Sequence, residues 1–161
     1  MDYLSMLTNS AILLRGKVVQ DHTFLEKLMQ SFVTVHYCTD PAKANEFTEY
    51  VICQHLPFDK TREIFTHIIR IHYPEDYKKY KKELKYIIEV NDERNIVGHY
   101  LLNSSEEGVK HYATKQEITF MKFKNGMNQE AFSQKRVDTF HEKIVAIQLM
   151  FEKIHPLNNL K

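Results

Sequence analysis

Apolar positions recur along this chain mostly at helical spacing. Residues 2–14 make a first apolar run, and Gly16 reads as its stop. A second helix starts at Thr23, where Glu26 three residues later completes a capping box. Its apolar positions Phe24, Leu25, Leu28, Phe32 and Val35 keep a helical period. Asp40-Pro41 couples a capping carboxylate to a proline at the first helical position, so a third helix covers 41–56. Pro57-Phe58-Asp59 interrupts and recaps the chain ahead of a fourth helix, 60–71, which carries Ile64, Phe65, Ile68 and Ile69. Tyr73-Pro74 interrupts it again. A fifth helix runs from near Pro74 to about His99. The last helix, 135–154, has the clearest pattern: Val137, Phe140, Ile144, Ile147, Phe151 and Ile154 alternate spacings of three and four. Such a stripe is either a core face or a dimer seam, and spacing does not separate the two.

A different texture precedes that last helix. Residues 117–124, EITFMKFK, read as a strand, and Asn125-Gly126 is a strong hairpin turn signal. The hairpin is too short to stand as a domain. The segment between His99 and Glu117 reads as a polar loop. Four glycines and four prolines leave little punctuation elsewhere, which favours long helices. The fold expected is all-α, a helical bundle with a short β-hairpin insertion before the last helix. A chain of 161 residues suits one domain, 1–161, with a real core.

Composition narrows the class. Charged residues make up 27% and the net charge is +1 with histidines neutral, so any nucleic-acid site must be a local patch rather than a global field. Cys38 and Cys53 sit in apolar runs outside any CxxC pattern, which predicts two buried thiols in a reducing cytoplasm. Met1-Asp2-Tyr3-Leu4 lacks the basic start of a signal peptide, and no uncharged apolar run reaches bilayer length, so a cytoplasmic, non-membrane protein is expected.

The candidate chemistry lies in the stretch NDERNIVGHYLLNS, residues 91–104. At about 100° per residue, Tyr77, Tyr80, Leu84, Ile87 and Ile88 share one arc of the fifth helix, and Asn91, Asn95 and Gly98 fall in that arc. His99 lies just beyond its edge, and Arg94 at the opposite edge, roughly 140° from His99. Polar groups on a packed face need partners, or each costs about 1–3 kcal/mol. A purely structural account is available: the asparagines cap neighbouring loops, Arg94 binds Glu89 or the Glu93 of another chain, His99 is a satisfied core histidine, and Gly98 permits close helix approach.

Arg94-Asn95-Ile96-Val97-Gly98-His99 resembles the R-x4-6-H motif of the HEPN superfamily, in its R-N-x-x-x-H form. The setting is similar too: the motif ends a helix, a polar segment follows, and a long amphipathic helix comes later. The resemblance implies a HEPN-like helical bundle that pairs its motif helices across a two-fold axis in a homodimer. It implies a metal-independent endoribonuclease that needs no cofactor and acts on single-stranded RNA through Arg94 and His99, with Asn95 orienting the imidazole or donating to phosphate. The contexts it implies are toxin–antitoxin systems, abortive infection and other phage defence, with an antitoxin or another regulatory protein as partner. Some relatives have lost the chemistry and serve as dimeric scaffolds that bind protein or nucleic acid, which is the alternative. One feature departs from the pattern. Toxins of this superfamily that are silenced by tyrosine modification carry the tyrosine two residues after the histidine; here that position is Leu101, and the tyrosine is Tyr100.

Two basic patches accompany the motif. Lys78, Lys81, Lys82 and Lys85 share a broad helix face suited to a phosphate backbone, or to plain solvation. Lys110, His111, Lys115, Lys122 and Lys124 make a second patch around the hairpin. The remaining histidines show no metal-ligand spacing, so no metal is expected. Asp138 and Glu142, with His141 nearby, read as paired charges on an outer face. No P-loop, dinucleotide fingerprint or nucleophile elbow is present.

Overall fold

The computed structural model describes residues 2–123 and 128–154. The chain is all-α, with a small antiparallel sheet ahead of the last helix. In order it forms α1 (Tyr3–Tyr37), α2 (Pro41–Phe47), a π-helical turn (Thr48–Ile52), α3 (Cys53–His55), α4 (Phe58–His72), α5 (Pro74–Lys79) and α6 (Lys81–His99). There follow β1 (Leu101–Leu102), α7 (Glu106–Lys115), β2 (Ile118–Lys122), β3 (Asn128–Phe132) and α8 (Gln134–Lys153). The backbone contacts divide into two compact units, Met1–His22 with Glu89–Lys143, and Thr23–Ile88 with Ile144–Lys161.

The two helices expected before Tyr37 are one. Gly16 does not stop α1 and Thr23 does not cap a second helix. The reason is a buried stripe that runs straight through the glycine: Leu7, Ala11, Leu14, Val18, His22, Leu25, Met29 and Phe32. A glycine inside a helix costs about 1 kcal/mol and does not break it. The third helix begins as expected, with the Asp40 carboxylate accepting from the Ala42 N–H at 2.9 Å, but it passes through a π turn before ending. Pro57, not Asp59, occupies the cap of α4, and Asp59 lies in its first turn. The fifth helix is interrupted at Tyr80 (φ −105°, ψ 25°), so α5 and α6 are separate elements. The N–H of Tyr80 still donates to Asp76 and its carbonyl still accepts from Leu84, so the interruption leaves these backbone groups satisfied.

In the unit of Thr23–Ile88 and Ile144–Lys161, the core is aromatic at its centre. Phe32 meets Phe65 edge-on at 4.9 Å, and Phe65 stacks on Phe151 at 5.0 Å, both favoured ring geometries. The α8 stripe Phe140, Ile144, Ile147, Phe151 and Ile154 is buried within the chain, so it is a core face and not a dimer seam. The thiols do not follow expectation: Cys53 is exposed and Cys38 half-buried.

In the other unit the sheet order is β1-β2-β3, with Leu101 opposite Met121, Leu102 opposite Phe120, and Ile118 opposite Phe132. The hairpin of β2 and β3 stands as expected, with Lys122 facing Asn128 across it; the Asn125-Gly126 turn itself lies outside the described residues. Two elements were not legible. β1 adds a third strand, and the polar loop after it contains α7. Ser105 caps α7 through the Gly108 N–H, and Gln116 ends it in the left-handed conformation, φ 57°. Among the described residues no helix is long and apolar enough to cross a membrane.

Candidate functional site

The packed stripe of α6 decides where the motif side chains go. It consists of Leu84, Ile87, Val90 and Val97, while Ile88 is 44% exposed. Arg94 follows Val90 by four residues and precedes Val97 by three, so it belongs to the packed face. This shifts the expected arc: Arg94 moves from its edge to its middle and Asn95 to its edge, while Asn91 stays between the angles of the buried Ile87 and Leu84. The expectation took Ile88 as a core position; the chain turns it outward. Asn91 has a structural partner, as its side-chain oxygen lies 3.0 Å from Nε2 of His22, which is 5% exposed.

Arg94 and His99 were expected to diverge within one chain. They meet. Nη1 of Arg94 lies 3.1 Å from Nε2 of His99 and also donates to the Asn95 side-chain oxygen at 3.2 Å. Two features of helix geometry allow this. The arginine side chain is long, and Cα–Cβ bonds lean toward the helix N-terminus, so His99 reaches back over the preceding turn. A guanidinium has only donors. His99 therefore accepts through Nε2, and the proton of its neutral ring sits on Nδ1. The imidazole is exposed and the guanidinium half-buried.

The carboxylates proposed for Arg94 are occupied by other cations. Glu93 takes a bidentate ion pair from Arg136, with Nη2 to Oε2 at 2.9 Å and Nε to Oε1 at 3.1 Å. Glu89 pairs with Lys143 at 2.8 Å. Among the described residues the buried Nε of Arg94 has no hydrogen-bond partner. A desolvated guanidinium nitrogen without an acceptor is costly, and an arriving anion would relieve that cost. Gly98 is open: among the described residues a methyl group there would meet nothing within 4 Å, so no close approach to them requires it.

Two side chains from outside the motif meet Tyr100 at the end of the motif helix. Arg15 of α1 donates from Nη2 to the Tyr100 carbonyl at 2.6 Å and lies over the Phe120 ring at 5.1 Å. Lys122 of β2 lies over the Tyr100 ring at 5.2 Å. Cations at a helix C-terminus satisfy orphan carbonyls and complement the dipole. They also gather positive charge next to His99. Lys122 had been noted only as part of the hairpin patch, and Arg15 not at all, since it comes from a helix 85 residues away in sequence.

Of the two basic patches, the hairpin one shares a unit with the motif. Lys110, Lys115 and Lys122 belong there, with His111 engaged by Glu117 at 3.0 Å; Lys124 lies outside the described residues. Lys78, Lys81, Lys82 and Lys85 are exposed and belong to the other unit. Lys78 pairs with Glu75 at 3.0 Å, and Lys82 lies over the Tyr86 ring at 5.5 Å. Among the described residues no group of three or more histidines, cysteines or carboxylates is placed to hold a metal ion. Searches of family models, curated proteins and solved structures found no match to this chain.

Proposed function

We propose that the chain is a metal-independent endoribonuclease of HEPN type that cleaves single-stranded RNA. The observation that carries this reading is the Arg94–His99 contact: a guanidinium with no carboxylate partner among the described residues, hydrogen-bonded to an accessible imidazole. In the reaction the ribose 2′-oxygen attacks the adjacent phosphorus in line, the bond to the 5′-oxygen breaks, and a 2′,3′-cyclic phosphate and a 5′-hydroxyl result. Arg94 turns from His99 to the phosphate oxygens, which its planar fork suits, and stabilises the charge of the phosphorane. That movement frees the Nε2 lone pair to take the 2′-OH proton. Imidazole is the side chain that general acid–base catalysis uses most often. Two copies of the motif across a two-fold axis supply a second imidazole to protonate the leaving 5′-oxygen, and open Gly98 suits the facing helix. Asn95 holds Arg94 until phosphate arrives. In the cell we place this activity in the cytoplasm, as a toxin or phage-defence effector restrained by an antitoxin-like protein.

The test is cleavage of a labelled single-stranded RNA in EDTA. The unmodified chain cuts; His99→Ala and Arg94→Ala each lose about 100-fold or more in rate. Arg94→Lys also fails, because an ammonium lacks the fork. Undiminished cutting by His99→Ala would sink the mechanism. A second reading has an observation of its own: Arg94 engages the very lone pair that a base would use. On that reading the protein is a silent dimeric scaffold. It would bind RNA or a partner protein in the same assay and leave RNA uncut.

A further inference from the structure

Two tyrosines at or just beyond α6 carry a lysine over the ring. Lys82 Nζ lies over Tyr86 at 5.5 Å, and Lys122 Nζ over Tyr100 at 5.2 Å. Both tyrosines are half-buried. Lys82 stands one helical turn before Tyr86, so spacing alone explains the first pair. The second is made by the sheet. Leu101 of β1 faces Met121 of β2, and one step beyond that register Tyr100 comes beside Lys122.

Tyr100 is held at both backbone groups. Its N–H donates to the Ile96 carbonyl at 3.0 Å, and its carbonyl accepts from Arg15 Nη2 at 2.6 Å. Arg15 is fixed in turn over the ring of Phe120, which is fully buried. The tyrosine directly follows His99, so a positioned aromatic face adjoins the imidazole.

The charge around that face is uncompensated. Among the described residues Arg15, Arg94 and Lys122 have no carboxylate partner. The Nε atoms of Arg15 and Arg94 are both buried there without a hydrogen-bond partner. Glu93, next to Arg94 in the chain, is held by Arg136. Half-buried cations without counter-charges favour an anion. A positioned ring among such cations suits an unpaired nucleotide, whose phosphate takes the charge and whose base takes the ring. An acidic peptide would use the charges and leave the ring idle.

We infer that Tyr100 and Lys122 form a nucleotide subsite adjoining His99, with one unpaired base stacked on the Tyr100 ring and its flanking phosphate on Lys122. This rests on the RNA reading of the Arg94–His99 site and names what that site selects: a strand whose bases are free to leave their stack. A charge-assisted bond to phosphate outweighs a cation–π contact at a half-exposed ring, so the ammonium moves to the phosphate and uncovers the face. A base paired in a duplex cannot present its face to the ring. Stacking tolerates every base, so the subsite selects single strands and not a sequence.

The chain has no tryptophan, so Tyr100→Trp places one reporter at the subsite. It is titrated with a 2′-O-methyl oligouridylate about 12 nucleotides long, which lacks the free 2′-hydroxyl that cleavage needs. The single strand should quench its emission, and the same strand annealed to its complement should not. Tyr86→Trp, under a lysine of the same kind, should not respond to either. Tyr100→Leu should weaken strand binding by about tenfold and Tyr100→Phe by less than about twofold. Lys122→Gln should reduce the salt slope of binding by about 1. In the unmodified chain the strand should suppress acetylation of Lys122, a measurement that stands even if a tyrosine variant fails to fold. The inference is overturned if the strand does not bind, if the duplex quenches as the strand does, if Tyr100→Trp and Tyr86→Trp respond alike, or if Tyr100→Leu binds as the parent does. Weakened self-association of Tyr100→Leu with strand binding intact would make the ring a contact between copies, which also overturns it. Cleavage in EDTA is read separately. Binding through Tyr100 with no His99-dependent cleavage keeps the subsite and removes the nuclease; His99-dependent cleavage with Tyr100→Leu binding and cutting as the parent does removes the subsite alone.

Discussion

Asn91 illustrates how one residue type can serve structure and look like chemistry. Its position one turn before Asn95 made it part of a polar run, but its partner is the buried His22. Asn91→Ala removes this hydrogen bond from the buried imidazole and should cost about 0.5–1.5 kcal/mol, read by urea unfolding, with little effect on the proposed RNA cleavage. A double-mutant cycle with His22→Ala would show the two changes coupled; simple additivity would count against the pair. Gly108 is the second residue whose role is steric. A Cβ there would collide with the carbonyl oxygen and side chain of Asn103, itself buried and bound to Ser105 through its side-chain oxygen. Gly108→Ala should therefore destabilise by about 1–3 kcal/mol. Gly98→Ala meets no atom, so it should leave folding intact or slightly stabilised. If the motif helices pair through this residue, the same substitution weakens self-association, which sedimentation would detect.

Among the elements, α1 shows which sequence signal to weigh. Its apolar stripe continues past Gly16 with His22 standing in for a hydrophobe, and the glycine and an apparent capping box obscured it. Gly16→Ala adds a methyl into open space, and should raise stability by about 0.5–1 kcal/mol, visible as an increase in Tm. No increase would mean the α1 backbone has a requirement not visible in its contacts. The short α7 was missed for the opposite reason. Only Val109 and Tyr112 interrupt its polar sequence with large apolar side chains, so periodicity had little to register, and its cap is visible only once Ser105 is seen to bond Gly108. Arg136 ties three elements together: it pairs with Glu93 of α6 and Glu130 of β3, and donates to the Ala131 carbonyl at 2.9 Å. Arg136→Gln breaks a half-buried pair and should cost about 1–3 kcal/mol. It also leaves Glu93 without this cation beside Arg94, so the proposed cleavage should fall by more than the lost stability explains.

For the molecule as a whole, pH offers a readout independent of RNA. His36 and His72 lie with rings 4.7 Å apart, and the Tyr73 hydroxyl reaches His36 Nδ1 at 3.5 Å. Burial, and then the charge of His72, hold the His36 imidazole below its ordinary value. The folded state thus binds this proton more weakly than the unfolded chain. The associated stability is present above about pH 6.5 and is lost as pH falls through the lower folded value. Tm should drop between pH 7.5 and 5. His72→Gln removes the charge contribution and should flatten that drop; an unchanged profile would place the sensitivity elsewhere.

Sequence by itself determined the helical class, the hairpin before the last helix, the capped start at Asp40 and the Arg94–His99 motif, because each is written in local spacing and local backbone chemistry. It could not determine which face of α6 packs. Ile88 and Ile87 are equivalent as residue types, and only the neighbours that bury one and leave the other exposed distinguish them. That choice fixed the rest: Arg94 on the packed face within reach of His99, its carboxylates claimed by Arg136 and Lys143, and Arg15 brought from α1 to the Tyr100 carbonyl.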